Sequence, residues 1–122
     1  MRLVVGFPPG GSVDHVARIL APELSRALGR SVVVENLPGA NSARAIARVA
    51  SSEPNGDTLL LASSAIAHPD NAAAAASLRP VVLTSTAPMV LVVRASLPAH
   101  DPREFAAYLA AQAGASYGSS GV

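Results

Sequence analysis

The chain is most constrained at its start. There an apolar segment, Arg2-Leu3-Val4-Val5-Gly6-Phe7, runs into Pro8-Pro9-Gly10-Gly11-Ser12 and then into helical periodicity. The two prolines have no N–H and a fixed φ, so they stiffen the approach to the helix. Phe7 precedes a proline, is driven toward an extended backbone, and is placed to wall one side of the turn. The amides of Gly10, Gly11, Ser12 and Val13 then fall in the first turn of a helix, where unpaired donors and the helix dipole favour an anion. Adjacent glycines let the charged end of a ligand come close. On spacing alone, the same residues also serve as a strand-to-helix turn that needs Pro and Gly only for its geometry.

Strand and helix signals alternate from this point on. Val13 to Leu28 carries Val16, Ile19, Leu20, Leu24 and Leu28 at helical spacing, and Gly29 supplies the stop. Pro22 lies inside that helix, removes a backbone bond to Arg18, and predicts a kink. A short β-branched strand is expected over Ser31–Glu35, a turn at Asn36-Leu37-Pro38-Gly39, and a helix over Ser42–Ala50. Glu53-Pro54-Asn55-Gly56 reads as a second turn, leading into a strand over Thr58–Ala62. The alanine run within Asn71–Leu78 suits a short helix or a loosely ordered connection. Strands are expected at Val81–Leu83 and Met89–Val93. A helix follows from Asp101 as N-cap and Pro102 at its first position to about Ala113, and Ser116-Tyr117-Gly118 opens another strand or turn. Strands apolar on both faces and alternating with helices predict an α/β fold with a doubly wound, mostly parallel sheet. In such a sheet the loop after Phe7 and the loop Ser63-Ser64-Ala65 both open at the carboxyl edge, where ligands bind.

Composition removes several function classes. With 122 residues there is room for one core and no second full domain. All nine basic residues are arginines, dispersed along the chain against eight acids, and the net charge is +1. That balance, with few aromatics, argues against nucleic acid as a partner. The absence of cysteine removes disulfides, thiolate metal sites and cysteine nucleophiles. No stretch has the apolar length of a membrane span, and Arg2 leads directly into a strand rather than into a signal-peptide core.

Catalytic chemistry is poorly represented. Gly6, Gly10 and Gly11 do not form G-x-G-x-x-G, no lysine exists for a P-loop, and Gly118-Ser119-Ser120-Gly121 misses the nucleophile elbow by one position. His15, His68 and His100 share no metal-ligand spacing, so no metal and no cofactor is expected. Asp14, Glu35, Asp57 and Asp70 each have a structural use. A carboxylate at Asp14, for instance, is stabilising in a helix's first turn. Serines in glycine-rich loops without a general base do not make an enzyme.

Five segments together resemble the Bug/TctC family, the extracytoplasmic solute receptors of tripartite tricarboxylate transporters. They are Leu3–Asp14, Leu28-Gly29, Val32–Ala40 with its Asn-Leu-Pro-Gly-Ala turn, Pro54–Leu60, and Tyr117–Gly121, in order along nearly the whole chain. The resemblance implies a partial periplasmic-binding-protein type II domain. Residues 1–115 would form an incomplete N-terminal lobe, and 116–122 the start of a crossover toward a second lobe. It implies a periplasmic location with the leader not present in this chain, a small carboxylate or amino-acid ligand, membrane transporter subunits as partners of the full-length protein, and no chemistry on the ligand. The matching positions are Phe7, Gly10, Gly11, Ser12 and Asp14 in the first loop, Ser63, Ser64 and Ala65 in the second, and Gly118, Ser119, Ser120 and Gly121 in the third. Leu37, Asn41 and Ser42 depart from the family, which commonly has Arg and Gly around that turn. A competing expectation is a non-transport module that self-associates as a homodimer through exposed sheet edges.

Overall fold

The computed structural model describes residues 1–112, 114 and 116–118. Met1–Pro80 forms one compact unit, and the described residues from Val81 to Gly118 belong to a second. In the first unit, Arg2–Val5 (β1), Val33–Asn36 (β2) and Thr58–Leu61 (β3) form a parallel sheet in the order β2-β1-β3. Leu3 pairs with Val34 and Leu59, and Val5 with Asn36 and Leu61. The connections are the helices Ser12–Leu28 (α1) and Ala43–Ala50 (α2). This is the parallel α/β arrangement the alternation predicts.

The central strand explains the arrangement. Leu3, Val4 and Val5 are all buried, as a strand covered on both faces requires. Leu3 and Val5 pack with Ala17 and Ala21 of α1 and with Val32 and Leu61, ringed by Val16, Leu20, Leu24 and Leu59. Alternation turns Val4 to the other face, where α2 buries Ala45 and Ile46.

Boundaries follow local hydrogen bonding. Helix α1 continues through Pro22 and stops where Gly29 turns left-handed at φ 64°. Strand β2 begins two residues later than expected. The Val32 amide donates to Ser25 Oγ at 2.9 Å, so the first backbone bond into the sheet comes from Val33, to the Met1 carbonyl at 3.1 Å. Helix α2 starts at Ala43 rather than Ser42, because Ala40, Asn41 and Ser42 all have positive φ (47°, 48° and 69°). The alanine run yields only a single turn, Ala72–Ala75 (α3), preceded by a 3-10 turn at Pro69–Asn71.

In the second unit, Asp101 caps Pro102–Ala110 (α4) by accepting from the amides of Arg103 (2.7 Å) and Glu104 (2.8 Å), as its sequence predicts. The strands expected at Val81–Leu83 and Met89–Val93 are not formed; both stretches lack regular structure and expose their apolar side chains. Their β-branched composition suits a strand. A strand also needs an edge to pair with, and among the described residues this unit contains no other strand.

Gly6, just past the end of β1, lies against the turn that precedes α2. A Cβ there would lie 2.5 Å from both Cβ and Oγ of Ser42. Gly6→Ala should therefore cost about 1–3 kcal/mol in urea unfolding. The double variant with Ser42→Gly should recover much of that loss. A neutral Gly6→Ala, or strictly additive losses in the double variant, would contradict this packing.

Candidate functional site

Strands β1 and β3 are parallel neighbours, so the loops leaving Val5 and Leu61 emerge at the same carboxyl edge of the sheet. The connection from β1 leads to β2 on one side, and the connection from β2 returns to β3 on the other. That is the reversal of strand order at which open α/β sheets form their ligand crevice. The loop after β1 enters α1 through Gly10, at φ 86°, and Gly11, at φ −75° and ψ 169°; it is Gly10 that needs to be glycine.

A buried carboxylate organises this loop. Asp14 is 2% exposed, and its Oδ2 accepts from the Gly10 amide and from Arg18 Nε, both at 2.8 Å. Its Oδ1 accepts from Asn36 Nδ2 at 2.9 Å, and the same Nδ2 donates to the Phe7 carbonyl at 3.1 Å. Strand register explains how Asn36 arrives. It pairs with Val5 and so shares the α1-facing side of the sheet at its carboxyl end. The hydrogen bond from Arg18, then those from Gly10 and Asn36, hold the Asp14 carboxyl far below the usual carboxylate range. The dipole of α1 is thus partly answered by the chain's own anion, and one of the amides expected to face a ligand is engaged.

The family model for the tripartite tricarboxylate transporter family receptor matches residues 16–122. The chain belongs to this family. A UPF0065 protein of Bordetella pertussis is 35% identical over 129 residues, covering 100% of this chain and 40% of the relative. Protein BugT of the same organism is 47% identical over 64 residues, 52% of this chain and 20% of BugT. The solved periplasmic binding protein BugD is 42% identical over a region covering 49% of this chain and 20% of that chain, with a TM-score of 0.48. The chain spans less than half the length of the curated relatives it matches.

In this family member, the residues singled out from sequence have distinct fates. Phe7 is half-buried and packs against the core beneath the loop. The Gly10 amide is taken by Asp14, and the Gly11 amide reaches the Pro8 carbonyl at 3.4 Å. Ser12 is exposed, and its amide and that of Val13 lie in the first turn of α1, where Gly11 offers no side-chain cap. In the second loop, Ser63 Oγ accepts from the Ala65 amide at 3.2 Å, while Ser64 is exposed. Gly118 belongs to the second unit, and Ser119, Ser120 and Gly121 lie outside the described residues.

Sequence reasoning missed a third loop at the same edge. Leu37 donates its amide to the Val5 carbonyl at 2.8 Å, which brings the turn after β2 back across the end of β1. Ser42 is buried, and its Oγ donates to the Gly6 carbonyl at 3.3 Å. Ala40, Asn41 and Ser42 all hold left-handed backbone without glycine, a conformation that costs an L residue about 1 kcal/mol or more, and asparagine least. The departures at Leu37, Asn41 and Ser42 that the resemblance implied were the available signal.

The Asp14 network carries a pH signature. Its folded-state pKa lies below the unfolded one, so its stabilisation is complete above the ordinary value near 4 and is lost as pH falls through the folded value. Urea unfolding from pH 5 downward should show stability falling with pH in the wild type. The fall should be shallower in Asp14→Asn, which starts from a lower plateau. Identical slopes in the two proteins would remove Asp14 from this role.

Proposed function

We propose that this chain contributes one wall of the ligand cleft of a periplasmic solute receptor, which captures a small carboxylate-type metabolite for delivery to a tripartite tricarboxylate transporter. Its role is capture and presentation, without chemistry on the ligand. The observation that carries the reading is the convergence of three loops at the carboxyl edge of β2-β1-β3, with the first turn of α1 opening there.

The donors for the ligand are the amides of Ser12 and Val13, the Ser12 hydroxyl, and the hydroxyl of Ser64 in the facing loop. Gly10 and Asp14 serve the site by fixing its shape. Gly11 leaves the approach to the helix terminus clear. A metabolite carboxylate placed at the α1 terminus gains charge-assisted hydrogen bonds. One wall supplies only part of the burial that gives a pocket its affinity, so binding by this chain alone is expected at the millimolar level or weaker, on the order of −4 kcal/mol.

The test is a two-dimensional NMR titration of the chain with succinate, citrate, glutamate and nicotinate. Saturable shifts are expected at Ser12, Val13 and Ser64. Gly11→Val should remove them while keeping the fold, because Gly11 has an extended backbone that any residue adopts and its added Cβ would meet only the Pro8 carbonyl, at 3.5 Å. A dispersed spectrum that none of the four compounds perturbs, or shifts that persist in Gly11→Val, would sink the proposal.

A further inference from the structure

Asn71 is a fully buried polar residue that the loops described so far do not explain. It stands immediately before α3, where an asparagine ordinarily caps the first-turn amides, yet it caps none of them. Its side chain is 1% exposed and is directed elsewhere. Nδ2 donates to the Asn41 carbonyl at 3.0 Å and to the Ala65 carbonyl at 2.7 Å. Those carbonyls belong to two different loops, the one after β2 and the one after β3. The amide orientation is decided by its surroundings, since a flip would set an oxygen against two carbonyl oxygens. Oδ1 is then left buried with no hydrogen-bond partner among the described residues. An uncompensated acceptor is unfavourable, so the arrangement is held by the two donors on the other side of the amide.

We propose that Asn71 is a positioning residue for the ligand crevice: it fastens the left-handed turn Ala40–Ser42 to the Ser63–Ala65 loop, so that the two move as one body. Ser42 ties the same turn to Gly6 at the end of β1. The three loops are thereby joined in series, β1 to β2 through Ser42 and β2 to β3 through Asn71. The crevice role rests on the receptor reading above; the fastening of the two loops does not.

The fastening is tested first in the unaltered chain. The Asn71 side-chain NH₂ should show two well-separated proton signals and hydrogen exchange slowed at least about tenfold relative to an exposed amide. Exchange at the exposed rate would overturn the proposal. Two variants then separate fastening from mere filling of space. Asn71→Leu removes both donors, and Asn71→Asp has a donor only when protonated. Amide signals of residues 40–42 and 63–67 should shift together in both variants at pH 7, while those of β1 and α1 stay. In Asn71→Asp they should return toward wild-type positions as pH falls, and in Asn71→Leu they should not. The elements packed around Asn71 carry Arg44, Arg48, His68 and Asp70, so the wild type titrated in parallel removes their contribution. Shifts confined to one loop, or no pH reversal in Asn71→Asp, would contradict the fastening. With succinate as probe, the response at Ser64 should weaken roughly three- to tenfold in Asn71→Leu. A wild type that ignores succinate, citrate, glutamate and nicotinate alike would end the crevice role, while the exchange and pH results would still decide whether Asn71 joins the loops.

Discussion

The parallel pairing of β1 with a strand on each side is the constraint from which the rest of the first unit follows. The aliphatic run Leu3-Val4-Val5 of this strand has no stable place at a solvent-facing edge, and here it is buried on both faces and paired on both flanks. The helix that follows β1 must cover Leu3 and Val5, and the helix that follows β2 must cover Val4. Strand order then reverses across β1, and every loop leaving a carboxyl end arrives at one edge. The candidate site is a consequence of how this strand is buried.

At that edge the chain places its own carboxylate in the position a simple anion cradle would leave open. Asp14 draws together Gly10, Arg18 and Asn36, residues contributed by a loop, a helix and a strand. These charge-assisted contacts fix the entry to α1 far more firmly than Pro and Gly geometry would alone. The donors of the proposed site therefore lie one step along the helix, at the amides of Ser12 and Val13. The adjoining loop makes a comparable compromise. Ala40, Asn41 and Ser42 hold left-handed backbone without glycine, and the hydrogen bonds of Ser42 to Gly6 and of Asn71 to Asn41 offset that strain.

Features governed by neighbours along the chain are legible in the residues themselves. Gly29 stops α1 because a left-handed residue ends a helix there, and Asp101 with Pro102 starts α4 because cap chemistry is local. The Pro-Pro-Gly-Gly junction predicts a strand-to-helix turn for the same reason. The stretches at Val81–Leu83 and Met89–Val93 mislead because composition reports what suits a strand, not whether a partner edge exists. Asn71 is silent beside the alanine run, since its two acceptors lie 6 and 30 positions away.

The sequence by itself determined the α/β alternation and the emergence of two loops at the carboxyl edge of the sheet, which rest on periodicity and local backbone chemistry, and the family, which rests on its motifs. Only the tertiary structure decided which amides remain available, that Asp14 is an internal ligand, and that the turn after β2 joins the site. The bonds of Asp14 to Gly10 and Arg18 span only four positions, but Asn36 reaches Asp14 through strand register and Asn71 reaches Asn41 across 30 positions, and no local pattern encodes partners that folding alone brings together.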